Sequence, residues 1–528
     1  MFKKEKFLKP KPEEISEIEK RRESFGSLSD SERGVRLQKE QQEARLLNSE
    51  TFWQKIEQEN DPEHQKRLKL VLDVIETINA LGGLGLVVGG YARDEVLRRL
   101  GYDVHSKDID IEAYGFGFED LAKLLEEKFG SFEKVNKVGA QFKVIKLENL
   151  LDISIPRRDS KKGKGHKDFE ITGDPNMSVK EAARRRDFTM NSLALDPLTG
   201  QIIDEWGGIE DIGNKTLRAT DLELFKDDPL RVFRAMQFAG RFGFMIDPKT
   251  AEVCRSIDLS DLPEERISEE WQKLIEKSPK PSLGLEAARE FGIVEKNYPE
   301  LQALIGCGQE QEWHPEGDVW NHSLMAMDAA AEIGRREKLD AFTRKVITLG
   351  ALCHDLGKPA TTAFEDGRIR SKKHEQAGVA PAKKFLAEIL KSVKNGEEII
   401  QKVLPIVADH LYHVHNPNPT KNALNRLAVR LSPATIQELL WVSEADHHGR
   451  DLEWNGFPEG EKILKLAKEL QIEKSKPKPV LQGRDLIKLG FEPGPHFGQI
   501  IAKVYEAQLD GQVKNYEEAL EMARELKK

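Results

Sequence analysis

Lys107-Asp108-Ile109-Asp110-Ile111-Glu112-Ala113 is the stretch on which the fold turns. Ile109 and Ile111 alternate with acids, the pattern of a strand with one buried face. Side chains two apart on a strand point the same way, so Asp108 and Asp110 lie side by side. Carboxylates this close repel unless protons or a cation neutralise them. Hard oxygen donors suit Mg²⁺, which keeps positions free for phosphate oxygens. Alone, such a pair is equally compatible with a solvated strand face. Leu84-Gly85-Leu86-Val87-Val88, just upstream, reads as a strand running into Gly89-Gly90 and a helix from about Tyr91. A glycine turn at a helix N-terminus lets backbone N–H groups approach an anion. A phosphate cradle followed by a paired-acid metal site is the layout of nucleotidyl transfer.

Outward from this core, Arg67 to Ile78 carries a helical apolar stripe, and Phe118 to Phe129 reads as a helix. Phe142–Leu147 and Leu151–Ile155 read as strands. Asp152 on the second is either a third carboxylate beside the pair or a solvent-facing residue. Arg157 to Lys167 is a loop dense in cations and glycine, suited to closing over substrate phosphates or simply solvated. Arg184-Arg185-Arg186-Asp187 then enters an apolar run holding Asn191. Buried cations there are costly unless they bind something; arginine forks fit triphosphate oxygens, and Asp or Asn fits ribose hydroxyls. Trp206-Gly207-Gly208 closes the α/β unit, after which strands are expected to stop. Asp228-Pro229-Leu230-Arg231 reads as a helix start with Asp228 at the cap and Pro229 in the first turn. Arg231, Arg234, Gln237 and Arg241 follow at helical spacings.

With 528 residues the chain has room for several domains. It is 33% charged with net charge −9, so nucleic acid would have to meet local basic patches rather than a basic coat. No apolar run is long enough to span a bilayer, and the opening Met1-Phe2-Lys3-Lys4 lacks the apolar core of a secretory leader. Cys254, Cys307 and Cys353 have no metal-ligand spacing and suit a reducing cytoplasm. Residues 1–65 read as a charged extension, with weak helical stripes at Glu13–Arg22 and Arg36–Leu47.

Together these stretches resemble the class II tRNA nucleotidyltransferase (CCA-adding enzyme) and bacterial poly(A) polymerase family. The match rests on Gly89-Gly90 with Arg93-Asp94, Asp108-Ile109-Asp110, Arg185 to Asn191, Asp228 to Arg231, and Glu265-Arg266-Ile267 through Leu274. Asp227 stands where the family often has Glu, and Ala92 where Val is usual. The resemblance implies a polymerase-beta-like α/β head at 66–215, in which Asp108 and Asp110 hold catalytic Mg²⁺. It implies nucleotide contacts by Gly89, Gly90, Arg93, Arg186, Asp187, Asn191, Asp228, Arg231 and Arg234, with Asp228 and Arg231 selecting the base. A helical neck at 216–305 follows. Partners are the 3′ end of tRNA, CTP and ATP, with neither DNA nor membrane expected. Full CCA addition, partial addition and poly(A) synthesis remain alternatives.

Ten of the thirteen histidines lie beyond residue 300. His322, His354-Asp355 and Asp446, spread over helical segments, resemble the metal ligands of the HD phosphohydrolase superfamily in a domain at 306–455. His374 and His410 would permit a second divalent transition metal. A fold kept only as an RNA scaffold is the alternative, and an HD phosphohydrolase with an RNA-binding head is a rival for the whole chain. His413, His415, His447 and His448 are unassigned. Pro477-Lys478-Pro479 reads as a linker, and the tail at 456–528, with Gly483-Arg484-Asp485, resembles the RNA-holding tail of HD-bearing members.

Overall fold

The computed structural model describes residue 56, residues 61–104, 108–130, 135–138, 144–148, 150–161 and 169–450, and residues 456–526. The Glu13–Arg22 and Arg36–Leu47 stripes lie outside these. The described chain divides into two compact units, one ending at Asp228 and the other running from Pro229 to the C-terminal end.

In the first unit, the helix Pro62–Ala80 is capped by Asp61, whose carboxylate accepts from the Glu63 amide at 3.0 Å. Its stripe of Leu68, Val71, Leu72, Val74, Ile75 and Ile78 is fully buried. Gly82 takes a positive φ where the chain then reverses into the first strand. A seven-stranded sheet has the order β3-β4-β5-β2-β1-β8-β9. Its strands are β1 (Leu84–Val88), β2 (Ile109–Tyr114), β3 (Val135–Val138), β4 (Val144–Leu147), β5 (Leu151–Ser154), β8 (Ala194–Leu195) and β9 (Ile202–Ile203). β1 and β2 are antiparallel, with Val88 opposite Asp110. β2 and β5 are parallel, with Asp110 opposite Asp152. The helices Gly90–Arg99 and Phe118–Phe129 form where the sequence places them. β6 (Arg157–Lys161) pairs with β7 (Phe169–Gly173), so the cationic stretch expected as a loop begins as a hairpin strand. Residues 162–167 of that stretch lie outside the described ones.

The second unit is largely helical. Leu230–Phe242, Glu264–Lys277 and Pro281–Glu290 pack on one another, and the larger helices Val319–Arg336, Ala341–Cys353, Gly396–Asp409 and Ile436–His448 follow. Strands do not stop altogether, since Thr362–Glu365 and Arg368–Ser371 form a hairpin. Asp366-Gly367 supplies its turn, both at positive φ. Pro229, at the start of the helix Leu230–Phe242, already has helical φ −56° and ψ −21°, the place in the first turn that the sequence gives it. Pro477-Lys478-Pro479 is also more than a linker. The Tyr505 hydroxyl donates to the Pro477 carbonyl at 2.7 Å and Gln508 Nε2 to that of Lys478 at 2.9 Å, strapping the stretch to the tail helix His496–Leu509. That tail has its own core, including Leu481, Leu486, Val504 and Ala519.

Trp271 is fully buried and ties the neck to the helices beyond it. Its indole donates to the Tyr298 hydroxyl at 2.7 Å and meets Phe385 edge-on. Trp271→Ala removes this contact and should destabilise the second unit by about 3–5 kcal/mol. A lower melting temperature by calorimetry checks it, and an unchanged one would show that the cluster carries no such weight.

Candidate active site and metal cluster

In the first unit the acids converge on the end of the sheet next to the glycine turn. Ile109 and Ile111 are buried, while Asp108 and Asp110 reach solvent from the opposite face. The parallel pairing of β2 with β5 sets Asp152 beside Asp110, which resolves the choice about its position. Lys146 Nζ lies 3.1 Å from Asp152. Although Asp110 reaches water, the protein packed round it makes charge costly and pushes its pKa up; Asp152 and Asp108 add to this and Arg186 opposes it. Carboxylates on adjoining strands, with Asp108 and Asp110 open to solvent, are donors of the kind a hard divalent cation takes.

Gly89 has φ +71°, and a Cβ there would stand 3.0 Å from Arg186 Nη1 and 3.8 Å from Asp110 Oδ2. The positive φ is what favours glycine here, and the Arg186 guanidinium lies close against it. What fixes that guanidinium is Glu112, a residue the sequence reading passed over. It follows Asp110 on the same face but is buried. Arg185 Nη2 donates to its Oε1 at 2.9 Å, Tyr114 donates to its Oε2 at 2.8 Å, and Arg186 Nη2 stands 3.9 Å away. Burial would raise the Glu112 pKa, but Arg186 and Arg185 together hold it below the usual range. The three consecutive arginines thus find separate places, since Arg184 pairs with Asp221 at 2.6 Å. The row of acids in β2 was the available signal for Glu112, because three consecutive same-face carboxylates need cations.

Arg93, Asp187 and Asn191 form a buried chain of hydrogen bonds rather than an open surface. Arg93 Nη1 donates to Asn191 Oδ1 at 2.8 Å, and Asn191 Nδ2 donates to Asp187 Oδ1 at 2.9 Å. Gly90 opens the helix that carries Arg93. Asp228 is the last residue of the first unit, while Arg231 and Arg234 are half-buried on the first helix of the second. The Arg234 guanidinium lies over the Phe238 ring at 5.0 Å. Gln237, expected among the polar repeats, is turned inward and buried.

In the second unit four histidines bring their ε nitrogens together. His322 is on the helix Val319–Arg336, capped by Asp318; His354 ends Ala341–Cys353; His410 ends Gly396–Asp409; His374 starts the turn after the hairpin. Asp446 comes from Ile436–His448, whose start is a capping box of Thr435 and Glu438. His322 Nε2 is 3.2 Å from His354 Nε2 and 3.1 Å from Asp446 Oδ1. Asp355 Oδ2 is 3.1 Å from His354 Nε2, and its Oδ1 is 3.1 Å from His374 Nε2, itself 3.2 Å from His410 Nε2. Asp355 therefore joins one group to the other.

The opposite ring nitrogens are anchored. Nδ1 of His354, His374 and His410 donates to the carbonyls of Ala351, Ser371 and Val407 at 2.6, 2.7 and 2.8 Å. Nδ1 of His322 lies 2.8 Å from Glu316, which His314 also meets at 2.8 Å. With the δ protons so placed, the ε nitrogens present lone pairs. Burial, reinforced by His354, pushes the His410 pKa down to about 3, so its ring is neutral at physiological pH. Neither oxygen of buried Asp355 completes a well-directed hydrogen bond. Acceptors facing acceptors in a dry site are stable only around a cation, and this N/O donor set fits divalent transition metals. All six ligand candidates read from the sequence are brought together. His413 and His447 instead pack against Phe457.

The fold is that of a nucleotidyltransferase head in a chain that also carries an HD domain. The family models agree: "Poly A polymerase head domain" matches residues 86–218, "Probable RNA and SrmB- binding site of polymerase A" residues 243–305, and "HD domain" residues 319–472. The multifunctional CCA protein of Stenotrophomonas maltophilia is 30% identical over 437 residues, covering 79% of this chain and 97% of that one. That of Xanthomonas campestris is 32% identical over 365 residues, covering 66% and 83%. Among solved structures, the Bacillus stearothermophilus CCA-adding enzyme in complex with CTP has a TM-score of 0.55 at 20% identity, covering 88% of this chain and 99% of that one. The Thermotoga maritima enzyme complexed with tRNA gives 0.53 at 19%, covering 90% and 98%, and both share the fold. The chain belongs to the multifunctional CCA protein family. Among the described residues no helix is long and apolar enough to cross a membrane.

Two substitutions probe the two sites separately. Glu112→Ala leaves Arg185 and Arg186 without their shared buried partner, so nucleotide incorporation should fall chiefly through a raised KM for nucleotide; an unchanged KM would show that Glu112 does not position them. A Cβ on Gly357 would lie 2.0 Å from the His374 carbonyl oxygen and 2.5 Å from the Gly378 nitrogen. Gly357→Ala should therefore displace His374 and weaken metal binding about 10- to 100-fold. Metal titration with mass-spectrometric stoichiometry measures this, while incorporation by the head should be unaffected.

Proposed function

We propose that this chain is a cytoplasmic, template-independent nucleotidyltransferase that adds or repairs the 3′-terminal CCA of tRNA from CTP and ATP, and that its HD domain is a metal-dependent phosphohydrolase. The observation that carries the first half is the position of Asp110, between Asp152 on the parallel strand and the Gly89 turn with Arg186 against it. Relatives bear the name multifunctional CCA protein, which supports the tRNA acceptor over generic RNA.

In the transfer, the RNA 3′-oxygen bonds to the α-phosphorus as the bond to the β-phosphate oxygen breaks, and pyrophosphate leaves. Asp108 and Asp110, with Asp152 beside them, would hold Mg²⁺, which when bound neutralises charge on the α-phosphate and eases loss of the hydroxyl proton. The backbone at Gly89 and Gly90 approaches the phosphates, and Arg186, fixed by Glu112, meets their charge. The buried chain from Arg93 through Asn191 to Asp187 sets the ribose-facing segment. Asp228, Arg231 and Arg234 offer the acceptors and donors that select cytosine and then adenine.

The second half follows from the converging ε nitrogens. His322, His354, Asp355 and Asp446 would hold one divalent transition metal, and Asp355, His374 and His410 a second. Bound there, such ions supply an activated water and neutralise phosphate charge. The anchored δ nitrogens and the buried Glu316 hold the ligands in place.

Asp110→Ala should abolish incorporation into tRNA lacking CCA while leaving the fold and HD metal content intact. His354→Ala should do the reverse. Supplying CTP and ATP separately and then together distinguishes complete from partial addition. Extension of generic RNA by ATP alone would favour a poly(A) polymerase instead.

A further inference from the structure

We propose that Trp313 is a base-stacking platform in the HD cavity, making it a specificity-determining residue that favours nucleotides over phosphate esters without a ring; this rests on the phosphohydrolase reading above. The cavity, of about 290 Å³, opens over the metal cluster, with Asp355, His374, His410 and Asp446 on its floor. Its walls provide two distinct chemistries. One is cationic. Lys358 Nζ stands 2.7 Å from Asp355 Oδ2, and Arg450 Nη2 stands 3.4 Å from Asp446 Oδ1. Arg450 Nε is shielded from water and has no acceptor. A donor left in that state beside a metal cluster fits a phosphate oxygen.

The other wall is apolar and open. Trp313 is 54% exposed and Val414 is 56% exposed, and both line the same cavity. Most large apolar side chains of the second unit are buried. Among the described residues no aromatic ring or cation covers the Trp313 indole, whereas Trp271 and Trp320 both have their indole N–H groups satisfied.

The exposed ring also sits on fixed backbone. The Trp313 and His314 amides donate to the Glu310 carbonyl at 3.1 and 3.0 Å. The Glu310 carboxylate accepts from the Ile369 amide of the hairpin at 2.9 Å, and Gln309 accepts from Lys358 at 2.6 Å. His314, the next residue, meets Glu316, which also meets the ligand His322. The turn that presents Trp313 is thus tied at one end to Lys358 and at the other, through Glu316, to His322. An open indole at a set distance from a cationic phosphate site suits an aromatic base joined to a phosphate through a sugar. A phosphate ester without a base would leave that wall wet.

The test compares an adenosine monophosphate, using whichever of its 2′, 3′ and 5′ isomers turns over fastest, with the corresponding ribose phosphate on the full chain loaded with divalent metal. Trp313→Ala should raise KM for the nucleotide about tenfold. It should leave KM for the ribose phosphate unchanged, and Trp313→Phe should restore most of the loss. Incorporation of CTP by the same variant, unaffected, shows that it folds. Equal effects on both esters, or no effect on the nucleotide, would overturn the platform while leaving the hydrolase standing. If the wild type hydrolyses neither ester, the hydrolase reading fails, and fluorescence still decides the platform. Quenching by the nucleotide in the wild type but not in Trp313→Phe supports it, and identical quenching in both refutes it.

Discussion

Both sites depend on the same constraint, which is that electron pairs aimed at one another need a positive charge between them. In the first unit the pairs belong to carboxylates on neighbouring strands. In the second they belong to imidazoles and carboxylates drawn from four helices and a turn. Protein cations answer part of the demand, with Lys146 beside Asp152 and Lys358 beside Asp355. The remaining donors are of kinds that divalent cations take. The surrounding backbone is arranged accordingly, through a left-handed glycine at position 89 and carbonyls that accept from three of the four converging histidines.

Much of this was legible because strand parity and helix periodicity are local. The alternation at Ile109 and Ile111 predicts one buried face and one acidic face, and the face assignment of Asp108 and Asp110 follows from two residues of spacing. The partner of Asp110 was not legible in that way. Whether Asp152 stands beside it depends on β5 joining β2 in parallel, and that register is set by packing across the sheet rather than by either strand. Glu112 shows the opposite failure. Its face was readable from parity, but parity says nothing of the arginines that arrive from far along the chain to meet it. The proline after Asp228 was legible as well, since its missing amide costs nothing in the first turn and its fixed φ suits the helix.

The HD ligands were legible for a different reason. Histidine next to aspartate at the end of an apolar helix is an uncommon expense, and the chain repeats such expenses at intervals that let separate helices meet. Sequence could list the ligands without showing how they are shared. The structure shows that Asp355 turns one oxygen toward each group. This explains why Gly357, two residues on, has no room for a side chain: the His374 turn must come close enough for Asp355 to reach both sides.

The two clusters also differ in how firmly they are held, and the difference suits their chemistry. Asp108 and Asp110 reach solvent at one end of the central strand of the sheet, a position open to an RNA end and successive nucleotides. The HD ligands His322, His354, Asp355 and Asp446 are almost wholly buried, and three of the four converging rings are pinned by backbone carbonyls. A weakly enclosed hard-acid site admits an ion with its substrate and lets both go. A dry nitrogen-rich site suits an ion that is retained. Donor type and burial, rather than the ion's charge, thus set the two clusters apart as sites for divalent cations.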